Sequence, residues 1–199
     1  MASRLSRVLR GKYHDVWKQF AADIGGEYRE GVRSAHDEVH FTAHGREGVL
    51  EGDLMMVMVG KIFVPVLTTR LVVLLPSVET HRFSLVPAGF GSAIARWFGA
   101  QDIAVGDETF DEAFVLKGVE PVFVQRLFAD TKLRSRCDEA ATFSYLQRRD
   151  DKVFWSDPTP GMDPCELKAP GLVDDPQKLR RYYDLFVDVL GRQPECTPP

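Results

Sequence analysis

LMMVMVGKIFVPVLTTRLVVLL, residues 54–75, is the most apolar stretch of the chain, interrupted by Gly60, Lys61, Pro65, the pair Thr68-Thr69 and Arg70. Two charges and a proline make it a poor membrane helix, whereas its many valines favour extended structure. The reading it supports is a pair of core strands joined near Gly60-Lys61. Met55, Met56 and Met58 fall on both faces of the first strand. Flexible methionines suit an adaptable contact surface as well as a core, and exposed apolar patches mark interfaces. Met55, Met56, Met58, Ile62 and Phe63 are therefore the candidate partner-binding residues, with a protein partner expected on the Met55 to Val66 hairpin.

Outward from this hairpin the pattern stays antiparallel. Val39, Phe41 and Ala43 alternate with His40, Thr42 and His44, the Gly45 to Gly48 segment turns the chain, and Val49, Glu51 and Asp53 return. His81 to Val86 reads as another strand. Phe143 to Gln147 and Val153 to Trp155 read as a last hairpin around Arg149 to Lys152, and the proline- and acid-rich run from Asp157 to Pro176 reads as a surface crossover.

Helical spacing brackets these strands. Tyr13, Val16, Trp17, Phe20 and Ile24 form a buried stripe ended by Gly25-Gly26. A short apolar helix is expected over Ala93 to Phe98. Pro121 opens a helix running to about Arg136, with Lys132, Arg134 and Arg136 placed favourably for its dipole. Asp175-Pro176 opens the last one, whose face of Leu179, Tyr182, Tyr183, Phe186, Val189 and Leu190 runs to Gly191. The N-terminal segment carries Arg4, Arg7, Arg10 and Lys12 beside Leu5, Val8 and Leu9. Such a basic amphipathic helix suits contact with an anionic membrane surface, but three aliphatics give marginal affinity, so a helix joining the core is preferred.

Length and composition bound the function. At 199 residues with 44% hydrophobic and 27% charged residues, the chain fits one folded domain, expected over 1–191 with a disordered tail over 192–199. A net charge of -4 lacks the basic footprint of nucleic-acid binding. Cys137, Cys165 and Cys196 form neither a disulfide framework nor a zinc motif, which points to a reducing, cytoplasmic setting. The N-terminal residues lack the apolar h-region expected of a secretory leader, no phosphate-binding glycine motif is found, and no cofactor is expected.

The segment GAQDIAVGDETFDEAFVLK, residues 99–117, joins a loop, a run of acids and the start of a core strand. Ile103/Val105 and Phe114/Leu116 have strand spacing around Gly106-Asp107, so two short strands about an acidic bend are expected, with Phe110 anchoring the bend. Asp102, Asp107, Glu108, Asp111 and Glu112 are dense enough to hold a hard divalent cation, although the order of a calcium loop is absent. Asp107 and Asp111 are the candidate metal ligands. Turn formation and capping explain the same acids without a ligand.

The pattern G-x-Q-D-I-x-x-G-D-x-x-F-D-x-x-F, followed by Lys117 and a helix opening at Glu120-Pro121, resembles the signature of a group of uncharacterised bacterial proteins. The resemblance covers Gly99 to Arg136. It implies a shared fold unit and a bacterial origin, and it supplies no activity and no catalytic residue.

His36, His40 and His44 are spaced by four, as a helical metal site requires. On a strand His36 and His40 lie about 13 Å apart at roughly 3.3 Å per residue, too far for one ion. Solvent-facing strand histidines are the expectation. With no serine elbow and no cysteine near a histidine, the residues supply no catalytic set. The fold expected is α+β, an antiparallel sheet with N-terminal, middle and C-terminal helices packed mainly on one face. The function expected is a non-enzymatic interaction or regulatory module. The alternative is a metal-dependent enzyme using the Asp102 to Glu112 carboxylates.

Overall fold

The computed structural model describes residues 13–31, 37–59, 62–88, 102–140, 142–150 and 159–194, with backbone alone at 54–59 and 63. Eight strands form a single antiparallel sheet: β1 (Glu27–Arg29), β2 (Glu38–Ala43), β3 (Arg46–Val59), β4 (Ile62–Pro76), β5 (Phe83–Pro87), β6 (Phe114–Gly118), β7 (Tyr145–Arg148) and β8 (Met162–Pro170). Their order is β1-β2-β3-β4-β8-β7-β5-β6, with every neighbouring pair antiparallel. The helices are α1 (Tyr13–Ile24), α2 (Glu108–Ala113), α3 (Pro121–Leu127), α4 (Thr131–Glu139) and α5 (Pro176–Gly191). The α+β class expected from the sequence is the class observed. The helices expected at positions 1–12 and 93–98, the strand expected over Val153 to Trp155 and residues 195–199 of the expected tail lie outside the described residues.

The core forms where strand alternation meets the helix stripes. Leu50, Leu71, Val73, Leu85, Leu116, Leu146, Cys165 and Leu167 are buried on one side of the sheet with Trp17 and Phe20 of α1 and Tyr182, Phe186 and Val189 of α5. Trp17 donates its indole N–H to the Val173 carbonyl at 2.9 Å, which satisfies its one polar atom inside the core. Tyr183 meets Phe20 and Phe41 edge-on, each at 5.3 Å, and so ties α1, β2 and α5 together. Asp175 caps α5 by accepting from the Gln177 and Lys178 amides.

Four expectations need correction. Of the two short strands expected around the acidic bend, Phe114 and Leu116 lie on β6, whereas Ile103 and Val105 lie on no strand, and the bend itself is helical: Asp107 accepts from the Phe110 amide and starts the helix Glu108–Ala113. The helix expected from Pro121 to Arg136 is two helices, because Asp130 caps a second one through the Lys132 amide. That break lets Phe128 and Leu133 both bury fully. The turn after β2 is His44-Gly45, with φ 51° and 72°, a left-handed pair that closes a two-residue hairpin at Ala43↔Arg46.

The fourth correction is the largest. The supposed surface crossover contains β8, a central strand whose Asp163, Cys165, Leu167 and Ala169 are buried. Its prolines are tolerated because only Cys165 to Lys168 pair on both sides, and Pro164 and Pro170 fall outside that span.

Candidate interaction site

Strand register creates one feature that the rest of the sheet does not share. β2 follows β3 only as far as Glu38↔Glu51, and β8 meets β4 only from Thr68↔Pro170 onward. β3 and β4 nevertheless stay paired to Val59↔Ile62. Among the described residues, Leu54–Val59 and Ile62–Leu67 therefore pair only with each other, as a two-stranded arm about 20 Å long at 3.3 Å per residue. Every rung from Leu54↔Leu67 to Val59↔Ile62 joins apolar residues in the sequence. Ile62 is 70% exposed, Val64 39% and Leu67 40%. Of the predicted contact residues, Ile62 thus stands on the arm and in the open, while the side chains of Met55, Met56, Met58 and Phe63 lie outside the described residues.

A collar of charge holds the base of the arm. Arg70 pairs with Glu51 at 2.9 Å and with Glu166 at 2.6 Å, and Gln147 donates to the second Glu166 oxygen at 2.5 Å. Lys168 reaches Asp53 at 2.6 Å and lies over the Tyr145 ring at 5.7 Å. The Thr68 hydroxyl donates to the Asp53 carbonyl. Burial opposes the charge on Glu166 most strongly, yet the Arg70 and Lys168 cations outweigh it and hold the carboxyl below its ordinary value. Arg70 gains from the same pairing: desolvation lowers its pKa, and the flanking Glu166 and Glu51 carboxylates raise it further. The collar joins β3, β4, β8 and β7 just where the arm departs.

This face also floors an open trough of 1020 Å³, with Val49, Val72 and Leu74 along its apolar centre and Arg29, His40 and Arg46 among its polar groups. Those polar groups are largely occupied. Arg29 pairs with Glu27, His40 contacts Glu38 at 2.9 Å, and Arg46 donates to the Leu190 and Gln193 carbonyls at the end of α5. The rungs Glu51↔Arg70 and Asp53↔Thr68 of the charged collar separate this trough from the arm.

The acidic segment is built differently from a ligand cage. Asp111 accepts from the Val105 and Gly106 amides, and Asp107 combines its cap with a 2.9 Å pair to Arg134. Arg134 in turn donates to the Phe128 and Ala129 carbonyls, closing the end of α3. Among the described residues, no group of three or more His, Cys, Asp or Glu is placed to hold a metal ion. His36 lies outside the described residues, and His44 contacts the Val187 carbonyl at 3.2 Å. Burial pushes the Cys165 thiol up to about 12, and Cys137 likewise rises, which leaves both poor nucleophiles.

Two polar clusters escaped the sequence. Nδ1 of His14 lies 2.7 Å from the Tyr28 hydroxyl and 3.1 Å from Asp37, whose other oxygen accepts from the Gly31 amide. At the far end of β8, the fully buried Asp163 accepts from Ser77, the Val78 amide and Arg82, while buried Arg148 donates to Gln193 and the Pro76 carbonyl. Residue 193 is thereby held in the fold beyond the expected boundary at 191. The partners in each cluster come from distant parts of the chain, so no local spacing announces them. The collar did leave a signal, since Arg70 interrupts an apolar run and Glu166 and Lys168 alternate with Cys165 and Leu167.

Comparison with protein-family models, curated proteins and solved structures gave no match to this chain. Among the described residues, no helix is long and apolar enough to cross a membrane.

Proposed function

We propose that the chain is a non-enzymatic interaction module, with regulatory potential, whose working part is the β3–β4 arm. The observation that carries this reading is a two-stranded arm that leaves the sheet with apolar residues on every rung and Ile62 70% exposed. An isolated two-stranded ribbon is marginal in water, and an apolar one that protrudes is stabilised by being covered. The collar of Arg70, Glu166, Lys168 and Asp53 supports the reading further, because it fixes the base so that the arm presents one conformation to its partner.

A protein partner fits the arm better than lipid does. The ribbon has two open edges, and unpaired backbone groups are costly in a hydrocarbon environment. A partner strand satisfies those groups and covers the apolar rungs together. The carboxylates of Asp107 and Asp111 are taken up by capping and by Arg134, so the function is assigned to the arm and not to the acidic segment.

The test is site-specific photo-crosslinking in the organism's own cells. A photoreactive residue replacing Ile62 is expected to give protein adducts, whereas one replacing Val122, 59% exposed on α3, is expected to give few. Equal adduct yields at the two sites would contradict the proposal.

A further inference from the structure

Building on the reading of the arm as a docking element, we infer that its occupant is a second copy of this chain, added edge to edge along β3. The two edges of the arm are not equivalent. The β4 edge carries Pro65, which has no N–H to donate, and proline is a recurrent guard of exposed strand edges. From Leu54 to Val59 the β3 edge carries neither proline nor charge. Such an edge is a template for another strand.

The occupant must offer an unpaired strand of similar length and an uncharged apolar surface to match. The same β3 edge of another copy meets both needs. Antiparallel pairing of β3 with β3 is self-complementary about a two-fold axis, the commonest symmetry of homo-oligomers. It pairs both open β3 edges in one event and continues each sheet into the other. Standard interfaces bury roughly 30–40 Å² per residue on each side, so pairing the six β3 residues of each arm buries about 400–500 Å² in total, the size of a weak association held largely by main-chain hydrogen bonds.

Asp53↔Thr68 is a rung of the hairpin, so replacing residues 54–67 with Asn-Gly closes it with a two-residue turn and removes the arm alone. Sedimentation of the wild-type chain across the micromolar range is expected to show a dimer, and the arm-less variant a monomer with an unchanged circular dichroism spectrum. Ile62→Asp and Val57→Lys, which keep the hairpin length, are expected to weaken dimerisation roughly a hundredfold or more. They serve also if the arm-less variant fails to fold. A wild-type monomer throughout, or a dimer that persists in all three variants, overturns the inference. The cellular crosslinks from position 62 separate the two levels. Adducts of the chain with itself support the second copy, adducts with another protein alone overturn it while leaving the docking role standing, and an absence of protein adducts removes both.

Discussion

The Arg70 guanidinium and the Glu166 carboxylate meet at 2.6 Å, Nε to Oε2, on neighbouring strands just below the point where the arm leaves the sheet. Glu166 is nearly fully enclosed and Arg70 is largely so, with side-chain exposures of 8% and 20%. The pair is thus a strut between β4 and β8, and its removal has different consequences from either side.

Arg70→Ala strands a buried carboxylate. Breaking one side of a buried pair costs about 3–5 kcal/mol, whereas exchanging both partners for apolar residues of similar volume is close to neutral. Urea denaturation is expected to place Arg70→Ala far below wild type and the double variant Arg70→Met/Glu166→Leu near it. Equal losses in the two would mean that the strut acts through packing instead of charge.

Acid should reveal the same pair. The folded-state pKa of Glu166 lies below the ordinary carboxyl value of 4.5, so the folded protein binds fewer protons there than the unfolded chain. Its contribution is present in full above that value and is lost as pH falls through the depressed one. Stability measured from pH 6 down to about pH 3 should therefore fall less steeply in Glu166→Gln than in wild type. Parallel curves would contradict the assignment.

The acidic segment makes a contrasting prediction. Asp107→Ala removes both the α2 cap and the Arg134 partner, and caps of this kind are worth about 0.5–2 kcal/mol. Asp111→Ala frees the Val105 and Gly106 amides at a similar cost. Thermal unfolding should show both losses, with chelator and divalent ions leaving the wild-type transition in place. An ion-selective rise that these variants abolish would move the function to the carboxylates.

Gly48, at the root of β3, is fixed by space. A Cβ there would stand 2.5 Å from the Phe41 ring and 2.8 Å from Val73, beneath the hairpin that carries the arm. Gly48→Ala is expected to cost about 1–3 kcal/mol through overpacking. Pairing it with Phe41→Leu should recover part of that loss in urea denaturation, and no recovery would show that the strain lies in the backbone.

The parts of the fold legible in the sequence are those governed by nearest neighbours. Trp17 and Phe20, and Leu179 through Leu190, declare their helix faces by spacing alone, and Gly60-Lys61 divides the apolar run into the two strands that pair at Val59↔Ile62. β8 was hidden because Pro164 and Pro170 suppress strand propensity, while what makes it a strand is pairing with β4 and β7, far away in sequence. The break at Asp130 was hidden because apolar spacing runs on across it from Leu127 to Leu133. Met55, Met56 and Met58 single out this hairpin in the sequence, but that it outruns its neighbours depends on where β2 and β8 stop, which no local pattern encodes.

Backbone hydrogen exchange along β3 tests the central claim most directly. In a two-stranded ribbon the amides of Gly52–Val59 alternate between β4 and the open edge. If a second copy pairs there, the outward amides should become protected as protein concentration rises, and Ile62→Asp should abolish that protection. Outward amides that exchange at unprotected rates at every concentration, identically in wild type and variant, would contradict the edge-to-edge arm.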